Sequence, residues 1–193
     1  NPIDGANSPY CSPSAFAGNY IFINPKGLYD MGLICEEDYK SNIYDGTPYT
    51  ADYEFAGKKR LELLKKAFLN INDELARQIK EFEISNSWLT DYSVFMAVKE
   101  EENMKPWWEW SDEHAHYFEC IKDIYSYEKS AAFWKFVQFV FYKQWNEIKA
   151  YANKKGVAVI GDMPIYVAMD SVDVWSNLPM FLIDEKTLKV EKV

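Results

Sequence analysis

The chain has 193 residues, with 30 acidic and 21 basic side chains and a formal net charge of −9 at pH 7. This length is sufficient for one domain with a hydrophobic core, and the acidic balance disfavours nucleic-acid phosphate and anionic lipid as partners. No apolar run has transmembrane length. We therefore expect a cytoplasmic protein that binds neither nucleic acid nor membrane.

Cysteine and histidine are sparse. Cys11, Cys35 and Cys120 are odd in number and far apart, which disfavours a disulfide framework and fits a reducing compartment. None of them forms a Cys-x-x-Cys pair, and His114 and His116 are most simply solvated surface residues. No glycine-rich phosphate loop and no Gly-x-Ser-x-Gly segment occurs. We expect no metal and no cofactor.

Aromatic residues are frequent, at 17% of the chain. One interpretation is an aromatic-rich core. The other is a carbohydrate-binding surface, because sugar rings present apolar faces and polar edges that Trp and Tyr side chains can match. Composition alone leaves both open.

The first part of the chain is predicted to be irregular and the next part helical. Residues 1–50 should form an ordered loop with short extended pieces, because proline and glycine recur there, and Tyr20–Ile23 is the strand candidate. Apolar residues at spacings of three and four over 61–82 predict one amphipathic helix, or two helices in line. Ser87 is a candidate N-cap for a helix over 88–102.

Pro106 should break the chain before a cluster of three tryptophans at 107, 108 and 110, which are either a stacking surface or a wedge between helices. A third long helix is predicted over 128–153 and should end at Gly156. The apolar, β-branched run that follows, Val157–Gly161, has the composition of a strand buried on both faces of a parallel sheet.

Asp162 follows this predicted strand directly. The carboxyl end of a strand is the active-site face of a β/α barrel, so Asp162 is a candidate for binding a polar ligand. Equally, it can cap the loop that continues through Pro164. Asp170 and Ser171 are better explained as a helix start.

Two long segments resemble one enzyme family. Residues 8–19, Ser-Pro-Tyr-Cys-Ser-Pro-Ser-Ala-Phe-Ala-Gly-Asn, are similar to the Ser-Pro-Tyr-Gln-Ser-x-Ser-Ala-Phe-Ala-Gly-Asn stretch of 4-α-glucanotransferases, also called amylomaltases or disproportionating enzymes. Residues 160–175 are similar to that family's Gly-Asp-x-Pro-Ile-Tyr-Val-Ala-x-Asp-Ser-x-Asp-Val-Trp. Shorter similarities lie between them, so the resemblance extends over nearly the whole chain.

The resemblance implies an α/β fold, an incomplete section of a (β/α)8 TIM barrel with a mainly helical insertion. It implies one partial catalytic-barrel domain over 1–193, with a substrate loop region in 1–50, the helical insertion in 51–128, and a barrel helix, strand and following loop in 129–193. The implied reaction is a retaining transfer of α-1,4-glucan segments between donor and acceptor sugars, which needs two carboxyl groups about 5–5.5 Å apart.

The resemblance also implies roles for three residues. Tyr10 matches a tyrosine that stacks on the reacting sugar, Ser8 lies in the same loop, and Asp162 matches an aspartate that hydrogen-bonds sugar hydroxyls without being the nucleophile. No Arg-x-Asp-His segment follows Asp162, so the nucleophile Asp and the acid/base Glu are expected beyond Val193. We expect this chain alone to be inactive. The alternatives are a non-catalytic glucan-binding module and a hydrolase of the amylase type.

Overall fold

The computed structural model describes residues 1–3, 8, 10–47, 49–162 and 165–191, and these residues are mainly helical. The helices are α1 (Pro25–Asp30), α2 (Glu36–Ser41), α3 (Tyr53–Phe68), α4 (Asp73–Ser85), α5 (Trp88–Glu101), α6 (Asp112–Ala115), α7 (Tyr117–Cys120), α8 (Glu128–Lys154) and α9 (Val172–Trp175). Short 3-10 helices lie at Tyr20–Phe22, Trp107–Glu109, Ile121–Tyr127 and Leu178–Met180. None of the described helices is long and apolar enough to cross a membrane.

Contacts divide the chain into two compact units whose segments alternate along the sequence. The first unit comprises Asn1–Ala17, Trp88–Trp134 and Met163–Val193, and the second comprises Gly18–Ser87 and Lys135–Asp162. The division into substrate loop, helical insertion and barrel segment remains a prediction.

The long helices follow their sequence patterns. The apolar pattern over 61–82 proves to belong to two helices, because the Asn72 side chain accepts a hydrogen bond from the Leu75 N–H (2.8 Å) and so caps the start of α4. Helices α5 and α8 have nearly the predicted bounds. Gly156 has a φ of 76° beyond the end of α8, which is the left-handed conformation that glycine adopts without strain.

The prediction that residues 1–50 are irregular is wrong for the stretches that form α1 and α2. Short helices form there because side chains cap them. Asn24 accepts a hydrogen bond from the Lys26 N–H (3.0 Å), and Pro25 takes the first position of α1, where its missing N–H is not needed. The strand prediction for Tyr20–Ile23 is also wrong. Asn19 accepts a hydrogen bond from the Ile21 N–H and starts a 3-10 helix instead.

The strand predicted over Val157–Gly161 does not form in the structure of this chain. These residues form no regular secondary structure, and the side chain of Ile160 is 93% exposed. A strand is stable only when its N–H and C=O groups pair with neighbouring strands. In the part of the chain that the structure describes, the one β-type pairing is an isolated antiparallel bridge between Ile183 and Val190.

In the second unit, two glutamines on α8 hold the segment that contains the first 3-10 helix. Gln138 is fully buried, accepts a hydrogen bond from the Gly18 N–H (2.7 Å) and donates one to the Gly18 C=O (3.1 Å). Gln144 makes the same two contacts with Asn24, at 2.7 and 3.1 Å. A Cβ atom at Gly18 would lie 1.9 Å from the Phe141 ring, so this close approach to α8 requires glycine.

The first unit is built around α5, which is buried on nearly every side. The Phe95 ring lies 5.2 Å from the Trp110 ring and 5.6 Å from the Trp175 ring. Trp107 is also fully buried, so the tryptophan cluster acts as a structural wedge and not as an exposed stacking surface. Many of the aromatic residues are therefore explained by the core of this unit.

Replacing Gln138 with Met should lower the free energy of unfolding by about 1–3 kcal/mol, because it leaves the buried N–H and C=O of Gly18 without partners. Urea denaturation of the 193-residue chain, followed by circular dichroism, measures this difference. Gln78→Met on α4 is the matched control, since it removes only an exposed contact with Glu74 and should cost less than about 0.5 kcal/mol. Equal losses in the two variants would contradict the role of Gln138.

Candidate functional site

Ser8 and Tyr10 lie together in a tight turn near the start of the chain. The Tyr10 N–H donates a hydrogen bond to the Ser8 hydroxyl oxygen (3.3 Å), and the Cys11 N–H donates one to the Ser8 carbonyl (3.3 Å). The turn presents the Tyr10 side chain to solvent with 63% of its surface exposed. An exposed tyrosine side chain presents an aromatic face of the kind that stacks on ligand rings.

A small recess lies beside Tyr10, and Tyr166 lines it as well. We call it the tyrosine recess; its lining residues are Asn1, Tyr10, Ser12, Ala15, Tyr166, Val167 and Ala168. Its volume of about 10 Å³ is roughly the space that one water molecule needs, so a sugar would have to stack on its rim. Tyr166 is 83% exposed. Sequence reasoning gave it no role, although it lies inside the second family-like segment, which was the available signal.

The two segments that carry the family resemblance meet at this recess. The Ala15 N–H donates a hydrogen bond to the Asp173 carboxylate (2.8 Å), and the Val172 N–H donates one to the Pro13 carbonyl (2.9 Å). Two motifs far apart in sequence are therefore joined by direct hydrogen bonds. Burial raises the pKa of Asp173, and the hydrogen bond from Ala15 offsets part of this effect.

The start of α9 agrees with the sequence prediction. The Ser171 hydroxyl accepts a hydrogen bond from the Val174 N–H (3.3 Å) and donates one to the Ala168 carbonyl (2.6 Å). Ser171 thereby caps α9 and also fixes the backbone at the edge of the tyrosine recess. The sequence predicts the capping role of Ser171 but not its contact with Ala168.

Asp162 belongs to the second unit and lies in the irregular segment that follows α8. Its side chain is exposed. The proposed contact with sugar hydroxyls stays a prediction for this residue, as does stacking for Tyr10 and the loop role of Ser8.

The histidine pair is not simply solvated surface. The His114 side chain is 15% exposed, with Nδ1 2.7 Å from the Glu102 carboxylate and Nε2 2.6 Å from the Tyr127 hydroxyl. Burial opposes ionisation of Glu102, but hydrogen bonds from His114 and Ser111 outweigh it and hold its pKa below the ordinary range. Burial raises the pKa of Tyr127 to about 12, so its hydroxyl keeps its proton. This chain of contacts fixes the turn after α5.

Within the residues that the structure describes, neither histidine takes part in a cluster that could hold a metal. Among the described residues, no group of three or more His, Cys, Asp or Glu side chains has a suitable arrangement. The imidazole nitrogens of His116 face backbone carbonyls instead, with Nδ1 2.9 Å from the Asp112 oxygen and Nε2 3.2 Å from the Glu185 oxygen.

A larger recess of about 220 Å³ lies between α7 and the segment after α9. Several polar groups that line it already have partners within the first unit. The Tyr117 hydroxyl donates to Asp91 (3.0 Å), and the Trp175 indole N–H donates to the His114 carbonyl (3.0 Å). We assign no ligand to this recess.

Comparison with known proteins identifies the family. A family model described as 4-alpha-glucanotransferase matches residues 1–187. The chain belongs to this family. A 4-alpha-glucanotransferase from Clostridium butyricum is 38% identical and covers 97% of this chain, and one from Aquifex aeolicus is 39% identical and covers 94%. The family resemblance inferred from residues 8–19 and 160–175 is thus confirmed.

A solved structure agrees with this assignment. An amylomaltase from Streptococcus agalactiae in complex with acarbose matches 96% of this chain with a TM-score of 0.87 and 36% sequence identity. This chain spans only 38% of that protein, and 39% and 37% of the two relatives above. It therefore corresponds to part of a 4-alpha-glucanotransferase. The chain therefore has the fold of the matching part of an amylomaltase, which is the part of the fold prediction that the comparison supports.

Replacing Asp173 with Asn should change how stability depends on pH. The raised pKa means that the folded state holds this proton more tightly than the unfolded state, so Asp173 makes the free energy of unfolding fall as pH rises through and above the usual aspartate range. Asn does not titrate there, and its amide oxygen can still accept the Ala15 N–H. Urea denaturation between pH 3.5 and pH 7 (roughly the range over which carboxyl groups titrate) should therefore show that the free energy of unfolding of Asp173→Asn, relative to that of the unsubstituted chain, increases with pH.

The control for this experiment is Asp45→Asn, an exposed aspartate in a loop of the second unit. This variant should have the same pH dependence of the free energy of unfolding as the unsubstituted chain. An unchanged pH profile in Asp173→Asn would show that the Asp173 carboxyl is not desolvated as the structure indicates.

Proposed function

We propose that the whole protein transfers α-1,4-glucan segments between maltooligosaccharides, or between glucans derived from starch or glycogen, and that this chain supplies part of its sugar-binding surface. The observation that supports this is the junction between residues 13–15 and 172–173. It holds exposed Tyr10 and Tyr166 beside one recess in a chain that belongs to the 4-alpha-glucanotransferase family. The Streptococcus agalactiae relative has acarbose bound, which supports a glucan-like ligand.

Each candidate residue has a specific role in this proposal. The Tyr10 ring stacks on the apolar face of the donor sugar, and Tyr166 offers a second aromatic face at the same recess. Asp162 accepts hydrogen bonds from sugar hydroxyls, and its exposure in the irregular segment after α8 leaves it accessible for that contact. Ser8 holds the backbone of the turn below Tyr10 through its contact with the Tyr10 N–H.

The reacting carboxyl groups come from other parts of the protein. A retaining transfer needs one carboxylate to attack the anomeric carbon and one carboxyl group to protonate the leaving oxygen. The acid/base group then takes a proton from the acceptor hydroxyl, so transfer prevails when a sugar occupies the acceptor position instead of water. The Arg-x-Asp-His segment expected to carry the nucleophile does not occur in this sequence.

The family assignment also bears on the conformation of Val157–Gly161 in the whole protein. We propose that Val157–Gly161 is a strand of the (β/α)8 barrel when neighbouring strands from the rest of the protein pair with it. The exposed apolar side chains of Val157, Val159 and Ile160 support this, because a strand buried in a parallel sheet carries such residues on both faces. We further propose a cytoplasmic location, consistent with three cysteines that form no disulfide bond.

The whole protein should convert maltotriose into glucose and longer maltooligosaccharides. Tyr10→Ala should lower kcat/KM about tenfold, since a stacked ring contributes on the order of 1 kcal/mol beyond its buried area. Tyr10→Phe is the matched control, because it keeps the aromatic face and should retain most of the activity. Product analysis by chromatography separates the possibilities, since a hydrolase of the amylase type yields only shorter sugars.

The 193-residue chain alone should show no turnover of maltotriose, because the two carboxyl groups must act together in one site. Calorimetric titration with maltoheptaose tests whether the chain nevertheless binds glucan, with Tyr10→Ala and Asp162→Ala as the weakened variants. Turnover by the isolated chain would overturn our assignment of the catalytic groups to other segments. Binding to the chain without transfer by the whole protein would favour a non-catalytic glucan-binding module.

A further inference from the structure

Lys99 on α5 is a buried charged residue that lies far in sequence from Tyr10 and Tyr166. Its side chain is 8% exposed, and its ammonium group lies 2.6 Å from the Asp170 Oδ2 atom. The same group donates a hydrogen bond to the Lys105 carbonyl (2.9 Å). A buried ammonium costs several kcal/mol unless it is paired and hydrogen-bonded, so the ion pair with Asp170 is required wherever Lys99 is buried in this way.

The ion pair is part of a larger set of contacts on the segment before α9. The Trp107 N–H approaches the other carboxylate oxygen of Asp170 at 3.4 Å, and the Trp107 indole N–H donates to the Met169 carbonyl (2.7 Å). The Ser171 hydroxyl donates to the Ala168 carbonyl (2.6 Å). Residues 168–170 are thus held at three successive positions, by Ser171, by Trp107 and by Lys99.

This held segment continues directly into the rim of the tyrosine recess. Tyr166, Val167 and Ala168 line the recess together with Tyr10. The Tyr166 side chain is largely exposed, so packing around its ring does not fix its place. Its position depends instead on the backbone that follows it, and that backbone is anchored through Asp170 to Lys99.

We propose that Lys99 is a positioning residue for the sugar-binding surface. Its ion pair with Asp170 fixes the 165–170 segment and thereby sets the place of Tyr166 beside Tyr10. Lys99 itself touches no substrate. This inference rests on the proposed glucan-binding function of the recess, and it adds that a charge pair inside the first unit controls the geometry of that recess.

Lys99→Met in the whole protein tests the proposal, because Met keeps much of the side-chain length without the charge. We expect kcat/KM for maltotriose disproportionation to fall about tenfold, as a small displacement of a substrate contact does, with most of the change in KM. Lys99→Arg keeps a positive charge and should restore part of the loss. Asp170→Asn is the second variant and should act in the same direction if Lys99→Met does not fold.

Lys135→Met is the matched control for the loss of a partly buried ion pair. Lys135 on α8 lies 2.6 Å from Glu83, and both residues belong to the second unit, whereas residues 165–170 belong to the first. Lys135→Met should lower the unfolding temperature while leaving the KM for maltotriose unchanged. An increase of KM in Lys135→Met equal to that in Lys99→Met would indicate a general loss of stability and would overturn the proposal.

A double-mutant cycle with Tyr166→Ala separates positioning from a purely structural role. If Lys99 acts through Tyr166, the double variant should lose little more activity than Tyr166→Ala alone. A purely structural effect of Lys99 would add in full to the effect of Tyr166→Ala. Full additivity, or an unaltered KM in Tyr166→Ala, would overturn the proposal.

Hydrogen exchange gives a measure that does not depend on activity. Lys99→Met should speed the exchange of backbone amides in 165–171, whereas Lys135→Met should leave them unchanged. If these amides exchange faster in Lys99→Met but the whole protein does not disproportionate maltotriose, Lys99 anchors the segment and the proposed function is wrong. Unchanged exchange would overturn the anchoring role even if the protein is active.

Discussion

The hydrogen bond from the Ala15 N–H to the Asp173 carboxylate is the contact on which the candidate site depends. It fastens the segment that carries Tyr10 to the start of α9. Within the described residues, irregular segments have no sheet to satisfy their backbone groups, and helix side chains take over that task. Gln138 does the same for Gly18 in the second unit, with both its amide oxygen and its amide nitrogen.

Buried charges follow a related rule, because each needs a partner inside the unit that contains it. Lys99 has Asp170, and Glu83 has Lys135. Burial opposes ionisation of Glu83, but hydrogen bonds from its two lysine partners outweigh it and lower its pKa. Arg60 is the exception among the described residues, since its Nε and Nη1 atoms are buried without a hydrogen-bond acceptor and burial lowers its pKa to about 10. These two Arg60 atoms therefore carry a desolvation cost that no hydrogen bond among the described residues offsets, whereas the Lys99 ammonium group is paired.

The sequence predicted the elements whose stability is local. Helices α3, α4, α5 and α8 show an apolar pattern or recognisable end signals, and these features were sufficient to place them. The predictions failed where a distant partner decides the outcome. Val157–Gly161 has the composition of a strand, but a strand forms only against neighbours, so its residues alone do not determine its conformation. His114 resembled a surface residue because Glu102 and Tyr127, which enclose it, lie 12 and 13 positions away in the chain.

The candidate site shows the same division between local and distant information. Family resemblance pointed to Tyr10, Ser8 and Asp162. It included Tyr166 in a matching segment without giving it a role, and it gave no reason to select Lys99. Tyr166 becomes a candidate only when the fold places it at the same recess as Tyr10. Lys99 becomes one only when its ammonium group is found on Asp170, 71 positions further along the chain.

Within residues 165–175, exposure separates two kinds of function. Ile165 and Tyr166 are strongly exposed, whereas Ser171, Val172, Val174 and Trp175 are buried. The buried half makes the contacts that fix the backbone, and the exposed half is available for contacts with a sugar or with other parts of the protein. A substitution in the buried half therefore alters the recess by shifting its backbone. A substitution of Tyr166 instead removes an exposed aromatic face whose position the buried half determines. A family-like segment can thus carry a ligand contact and the support for that contact within a few residues of each other.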